Sequence, residues 1–123
     1  MSYTLILKDC QYFKKKVFFW KSLLGVGEWR VHVEFGGADK GNQATVYMNK
    51  PGKVATIFLN KKWNSQPNKS DLSKCALHEV IEVCFNDIGN MLSENYNNSY
   101  ISKKIHEVIR KLENLAPYVK GFE

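Results

Sequence analysis

The sequence predicts one α+β domain, with a helix first, a small sheet in the middle and two helices at the end. Three observations predict this order: a helical apolar periodicity over residues 10–24, three short β-branched and aromatic segments between residues 29 and 59, and two further helical periodicities after residue 68. The 123 residues, with 44% hydrophobic and 24% charged side chains, are typical of a single globular domain. We therefore treat residues 1–123 as one domain.

The first helix is predicted from about Cys10 to Leu24, where apolar residues recur at helical spacing and the lysines at 14–16 face water. Gly25 and Gly27 follow it, as glycines commonly follow a helix. The aromatic run Phe18 to Trp20 is interpreted as the anchor of this helix. A partner-binding surface is the alternative, because three adjacent rings cannot all face one core.

Three strands are predicted at Trp29 to Phe35, Ala44 to Met48 and Val54 to Leu59, on their β-branched and aromatic content. The connection at 49–53 contains Pro and Gly and predicts a hairpin. The sheet is therefore expected to be three-stranded and mostly antiparallel. His32 alternates with valines and is expected on the open face of the sheet, without a role.

Two helices are predicted after the polar loop at 61–69. Asn68 or Ser70 is expected to cap the first, which should end before the break at 94–98. Its predicted apolar stripe consists of Leu77, Val80 or Ile81, Cys84, Ile88 and Met91. The last helix is expected from near Ser99 to Pro117, with a buried face of Ile101, Ile105, Val108, Ile109, Leu112 and Leu115.

The charge and cysteine content narrow the classes of function. The net charge of +6 comes from sixteen lysines and only two arginines, which gives nucleic-acid binding little support, since guanine and phosphate recognition favours arginine. The three cysteines match no paired framework, so reduced thiols are expected. With neither a signal-peptide core nor a membrane-spanning stretch, we expect a cytoplasmic protein without a membrane partner.

The penultimate helix carries the residues with the clearest chemical potential. His78 and Glu82 are four apart and point the same way, while Glu79 lies to the side, which is the geometry of the HExxH zinc motif with Glu82 in place of the second histidine. If the last two helices pack as an antiparallel pair, His106 approaches them. These three ligands with one open position would form a catalytic Zn²⁺ site. Solvated helix faces and a boundary histidine are the alternatives.

Two further residues near this helix remain ambiguous. Cys75, three residues before His78, is either a fourth ligand or, as favoured here, a small core residue. Trp63 lines a substrate cleft or covers the end of the sheet.

The chain resembles the small zincin-like metallopeptidases of phages and prophages. The matching residues are Trp29-Arg30-Val31, the HEVIE segment at 78–82 and the HEVIRKLEN segment at 106–114. The resemblance covers roughly residues 11–115. It implies a zincin-like fold, a metal ion held by His78, Glu82 and His106, and Glu113 orienting one of the ligands.

The function expected from this resemblance is zinc-dependent hydrolysis of an amide bond in a protein or peptide, inside a host cell, with Glu79 as the general base on the metal-activated water. Tyr96, Tyr100 or Arg110 would stabilise the oxyanion. The alternative is a non-catalytic interaction or inhibitor protein on the same fold, which binds a host or phage protein. The exchange of the second motif histidine for Glu82 favours that alternative.

Overall fold

A computed structural model describes residues 2–49 and 51–123, except for the side chains of Asp87, Asn90 and Ser93. Met1 and Lys50, which belongs to the predicted hairpin connection, lie outside the described residues. The elements in chain order are β1 (Tyr3–Thr4), α1 (Leu7–Leu24), β2 (Arg30–Phe35), β3 (Ala44–Asn49), β4 (Val54–Leu59), β5 (Lys62–Trp63), α2 (Lys69–Ser93), α3 (Asn98–Glu113) and a short 3₁₀ helix (Ala116–Tyr118). The α+β class and the order of helix, sheet and two helices are confirmed.

The three-stranded sheet has the order β2-β4-β3. β3 pairs antiparallel with β4, as expected, but β2 pairs parallel with β4, so the mostly antiparallel prediction is wrong for one of the two pairs. The reason is the loop at 36–43, which carries the chain past the position of β4 to the far edge instead of turning back beside β2. Gly36 and Gly37 begin this loop with φ angles of 98° and 82°, which disfavour other residues. β3 is left as an edge strand.

A second, two-stranded sheet joins residues 3–4, near the N-terminus, to the segment predicted as a polar loop. β1 and β5 pair antiparallel, with Tyr3 opposite Trp63. The Trp63 side chain is buried, and its indole N–H donates to the Asn60 carbonyl at 2.9 Å. A two-residue strand is too short to leave a periodic signal in the sequence.

The core lies between α1, the three-stranded sheet and the first half of α2. Its largest fully buried side chains include Trp20 and Phe13 of α1, Ile57 and Leu59 of β4, and Ile81 and Val80 of α2. Of the aromatic run, Trp20 anchors α1 as predicted, with its indole N–H 3.0 Å from the Ser73 carbonyl oxygen, whereas Phe18 is partly exposed. His32 is exposed, as expected.

Five residues of the predicted apolar stripes are exposed rather than buried: Ile88, Met91, Val108, Leu112 and Leu115. α3 packs mainly on α2, so each of these two helices buries only the side chains along its contact with the other. Within the described residues, no helix combines the length and the apolar character that crossing a bilayer would require.

The start of α2 is held by an N-terminal cap and by contacts with the C-terminal tail. At its start, Asn68 forms the predicted cap: its side chain accepts from the Asp71 amide at 2.7 Å, and Asp71 accepts from the Asn68 amide at 2.9 Å. At the C-terminal tail, the Phe122 carbonyl accepts from the Ser73 hydroxyl, and the Gly121 carbonyl accepts from the Lys16 ammonium at 2.7 Å. Lys16 is therefore buried, and the prediction that it faces water is wrong. The tail therefore joins α1 to α2 just before the candidate site.

Truncation of Phe122 should destabilise the protein, because its side chain is only 7% exposed and packs against Trp20. We expect Phe122→Ala to lower the free energy of unfolding by about 3 kcal/mol, measured by urea denaturation. Tyr118→Ala is the matched control, since Tyr118 is 87% exposed and its loss should change stability by less than about 0.5 kcal/mol. Equal effects of the two substitutions would contradict this role of the tail.

Candidate metal centre

The structure brings together His78 and Glu82 from α2 and His106 from α3. One helical turn separates His78 from Glu82, and His78 Nε2 lies 3.4 Å from Glu82 Oε1. The four-residue connection at 94–97 folds α3 back onto α2, and His106 Nε2 lies 3.0 Å from the same Glu82 oxygen. The predicted convergence of these three side chains is therefore present.

The three side chains could hold one metal ion. One ligand atom from each lies within 4.8 Å of the others. Tetrahedral ligands at about 2.0–2.1 Å from a zinc ion are roughly 3.4 Å apart, which is close to the two distances measured to Glu82 Oε1. Small side-chain adjustments would be sufficient for all three to reach one ion.

The hydrogen bonds of both imidazoles leave Nε2 available as the ligand atom. His106 Nδ1 lies 2.8 Å from the Ser102 carbonyl, which can only accept, so Nδ1 carries the proton. His78 Nδ1 donates in the same way to Glu113 Oε1 at 2.6 Å. A carboxylate or carbonyl behind a histidine fixes the ring and raises its basicity as a ligand. Glu113 therefore lies where it can orient His78.

Glu79 is buried beside the three ligand residues. Its side chain lines the same cleft, the residue is only 5% exposed, and Oε2 has no hydrogen-bond partner within the described residues. A buried carboxylate oxygen without a donor is costly. A cation, or a water molecule bound to one, would supply the missing interaction, so the residues present fit a metal ion.

Burial, hydrogen bonds and neighbouring charges shift the pKa values of His78, Glu79 and Glu82. The hydrogen bond to Glu113, followed by that to Glu82, raises the pKa of His78 to about 10. Burial, followed by the charge of Glu82, raises the pKa of Glu79 to about 8. Burial alone would raise the pKa of Glu82, but the hydrogen bonds and charges of its neighbours, His78 first, lower it below its ordinary value.

A cleft of about 710 Å³ lies over these residues, between α2 and the start of β3. Its walls consist of residues 41–46, Trp63, Ser65 and Pro67, six residues of α2 (Asp71, Lys74, Cys75, His78, Glu79 and Glu82), and His106 and Glu113. Trp63 thus contributes to the cleft wall as well as closing the small sheet. The lining by residues 41–46 was not predicted, because their position depends on the tertiary contact between α2 and β3.

Cys75 and the suggested oxyanion residues differ in whether they line the cleft. Cys75 lines the cleft but is not in the group of ligand atoms found within the described residues, and burial raises the pKa of its thiol well above the ordinary value. It is a buried small residue, as favoured. The suggested oxyanion residues Tyr96, Tyr100 and Arg110 do not line the cleft, since nearness in sequence to the loop or to His106 does not place them there.

Lys74 is a cationic residue of the cleft wall, whereas the sequence suggested it only as an ion-pair partner of Glu79 or Glu82 on a solvated helix face. It lies one turn before His78 on α2 and is half-buried. The spacing of four residues between Lys74 and His78 places both side chains on the same face of α2.

Comparisons with protein-family models, with curated proteins and with solved structures gave no significant match. The resemblance to the phage metallopeptidases therefore rests on the motif residues alone, which are Trp29-Arg30-Val31 and the segments 78–82 and 106–114.

Removal of any one ligand residue should weaken metal binding. We expect the wild type to bind about one equivalent of zinc, and His78→Ala, His106→Ala and Glu82→Ala each to bind it at least about 100-fold more weakly. Glu113→Gln should weaken it by about 10–100-fold, because the orienting carboxylate is lost. Competition with a chromophoric chelator measures these affinities. His32→Ala is the matched control, and an effect there equal to that of His106→Ala would contradict the assignment.

Zinc binding should compete with protons. Since the pKa of His78 is raised to about 10, the ring is protonated at neutral pH, and a metal ion must displace that proton. The apparent affinity should therefore rise by about tenfold per pH unit between pH 6 and 8, measured by calorimetry with proton release detected in buffers of different ionisation enthalpy. A flat pH profile would contradict this. In Glu113→Gln the rise should level off at lower pH, because the largest cause of the raised His78 pKa is removed.

Proposed function

We propose that this protein is a zincin-like, zinc-dependent peptidase of phage type. In this proposal His78, Glu82 and His106 hold the metal ion, and Glu79 is the general base. The observation that carries it is the buried Glu79 oxygen without a hydrogen-bond partner, next to three ligand atoms that converge from two helices. Two imidazoles and one carboxylate are a donor set that zinc accepts, and three protein ligands leave a position open for water or substrate.

A bound zinc ion would supply a Lewis acid and lower the pKa of water towards neutrality. Glu79 would carry out the proton transfers. Its Oε2 accepts a proton from the attacking water and then passes a proton to the leaving amine nitrogen, as the carbon–nitrogen bond breaks. Burial holds the pKa of this carboxyl at about 8, and a neighbouring cation favours the ionised form that a base needs.

The cleft wall favours an extended peptide as the substrate. β3 is one of the two edge strands of its sheet, and residues 44–46 of this strand line the same cleft as His78 and Glu79. An edge strand offers unpaired backbone groups to which an extended peptide adds as a further strand. This geometry would hold a scissile amide near the metal centre without requiring a particular side chain.

The expected site of action is the cytoplasm of the host cell. It follows from the resemblance to phage proteins. The free thiols Cys10, Cys75 and Cys84 are consistent with a reducing compartment.

A second candidate is a non-catalytic interaction or inhibitor protein that binds a host or phage protein. The observation that favours it is an apolar groove of about 400 Å³ formed by α2 and α3, whose wall includes the exposed side chains Ile88, Leu92, Tyr96, Tyr100 and Val108. Exposed apolar patches of this kind often mark interaction sites. In this case the biological effect would survive the loss of Glu79.

Exchange of Glu79 for Gln should separate these functions. We expect Glu79→Gln to keep about one equivalent of zinc and to lower peptide hydrolysis by about 1000-fold, because the amide cannot accept the proton from water. Hydrolysis of a quenched fluorescent peptide library and metal analysis of the same samples measure both quantities. Glu107→Gln, at the exposed Lys104 pair on α3, is the matched control. Full hydrolysis by a zinc-loaded Glu79→Gln would contradict the proposal.

A further inference from the structure

Lys74 places a positive charge in a cleft wall that is otherwise rich in carboxylates. Among the described residues, it carries the only ammonium or guanidinium group that lines the cleft of about 710 Å³. Four acidic side chains line the same cleft: Asp71, Glu79, Glu82 and Glu113. Lys74 is half-buried, yet within the described part of the chain it forms no ion pair with any of them. Its charge is therefore available to a group that the chain itself does not supply.

The carboxylates of the cleft wall, in contrast, are already engaged. Glu82 and Glu113 both contact the His78 ring, and Glu79 is buried beside them. Asp71 accepts from a backbone amide at 2.9 Å in the cap of α2. The negative charges thus belong to the metal centre or to the cap, and the ammonium group is the charge without a partner. An anionic group on a ligand would supply that partner through a charge-assisted hydrogen bond.

The connection from β5 to α2 bounds the cleft on the side of Lys74. Trp63, Ser65 and Pro67 from this part of the chain line the cleft, and α2 begins at Lys69. Because the connection is continuous with the helix, it forms a wall at the end of the cleft that lies towards the start of α2. A substrate that extends in this direction from the metal centre has little room beyond Lys74.

The spacing along α2 determines how far Lys74 lies from the metal centre. A separation of four residues corresponds to about 6 Å along a helix. The Cα–Cβ bonds of both Lys74 and His78 tilt towards the start of the helix, so this separation is kept. One residue of an extended peptide spans about 3.3–3.6 Å, and a charge-assisted hydrogen bond adds about 2.8 Å. A carboxylate on the residue after the scissile bond would therefore reach the ammonium group.

We propose that Lys74 binds a carboxylate carried by the substrate residue that directly follows the scissile bond. The inference rests on the proposed peptidase function and adds its substrate class. Two sources offer this carboxylate: the C-terminus of a peptide that ends at this residue, or the side chain of an aspartate or glutamate there. Both present the same group to the ammonium. The wall at this end of the cleft favours the C-terminal carboxylate.

Two hydroxamates test the role of Lys74 without requiring hydrolysis. The probes are N-hydroxysuccinamic acid and its neutral amide, N-hydroxysuccinamide, titrated calorimetrically into the zinc-loaded protein. The hydroxamate group binds the metal, and two methylene groups separate it from the carboxylate, as the amide nitrogen and Cα do in a peptide. We expect the acid to bind at least about tenfold more tightly than the amide, because its carboxylate pairs with a partly desolvated ammonium. Equal affinities would overturn the inference.

Variants of Lys74 provide the second arm of the test. Lys74→Met removes the charge with little change in length, and it should abolish the preference for the acid while the affinity for the amide stays unchanged. Lys69→Met is the matched control, because Lys69 lies on the same helix but does not line the cleft, and it should keep the preference. Lys74→Arg retains the charge and should keep it too. A preference that survives Lys74→Met would overturn the inference.

Three peptides distinguish the two sources of the carboxylate. They share a polyalanine sequence and end in a free carboxylate, in an alanine amide or in an aspartate amide, and mass spectrometry measures release of the last residue. Preferential cleavage of the first identifies the C-terminal carboxylate as the bound group, and preferential cleavage of the third identifies the side chain. Both outcomes support the inference. Equal cleavage of all three would contradict it.

The outcomes separate this inference from the proposed function. A zinc-loaded protein that prefers the acid but cleaves no peptide supports the role of Lys74 and contradicts the peptidase. A protein that cleaves the three peptides equally supports the peptidase and contradicts the role of Lys74. A protein that binds no zinc overturns both.

Discussion

The site depends on one carboxylate oxygen that two imidazoles approach from different helices. Glu82 Oε1 lies 3.4 Å from His78 Nε2 and 3.0 Å from His106 Nε2. A carboxylate can accept hydrogen bonds from both rings when protons are present, and it can share a cation with them when they are not. A second motif histidine at this position would lack this capacity in its protonated form. Glu82 can therefore link α2 and α3 at the site with or without a cation.

The position of the site along α2 follows from how that helix is supported. The stretch from Leu72 to Val83 is largely buried, mainly against α1 and β3, whereas several apolar side chains after Cys84 are exposed. His78, Glu82 and His106, the side chains that could hold a metal ion, lie at the boundary between these halves. The first half fixes His78 and Glu79 against the core, and the second half packs against α3. His106 is thus presented by the less supported helix.

The parts of the fold and site that the sequence predicts are those governed by short-range geometry. Helical periodicity predicts α1, α2 and α3, and the spacing of four places His78 and Glu82 on one face because it depends on the helix alone. The short connection at 94–97 allows His106 to be placed as well. The parallel pairing of β2 with β4 was not predicted, because two strands separated by a third leave no local signal of their order.

The ionisation of the centre and its fit to a cation have the same physical origin. Three carboxylates, Glu79, Glu82 and Glu113, lie largely out of solvent against two imidazoles. Negative charge crowded into a place of low hydration must be compensated, either by protons or by a cation. The raised pKa values of His78 and Glu79 are the first form of compensation, because both protonated groups reduce the net negative charge. A divalent ion at the three ligand atoms is the second, and it replaces the proton on His78 while it leaves Glu79 free to ionise. Burial of the carboxylates therefore has two consequences: the protons are held tightly in the absence of metal, and a cation is favoured at the same position.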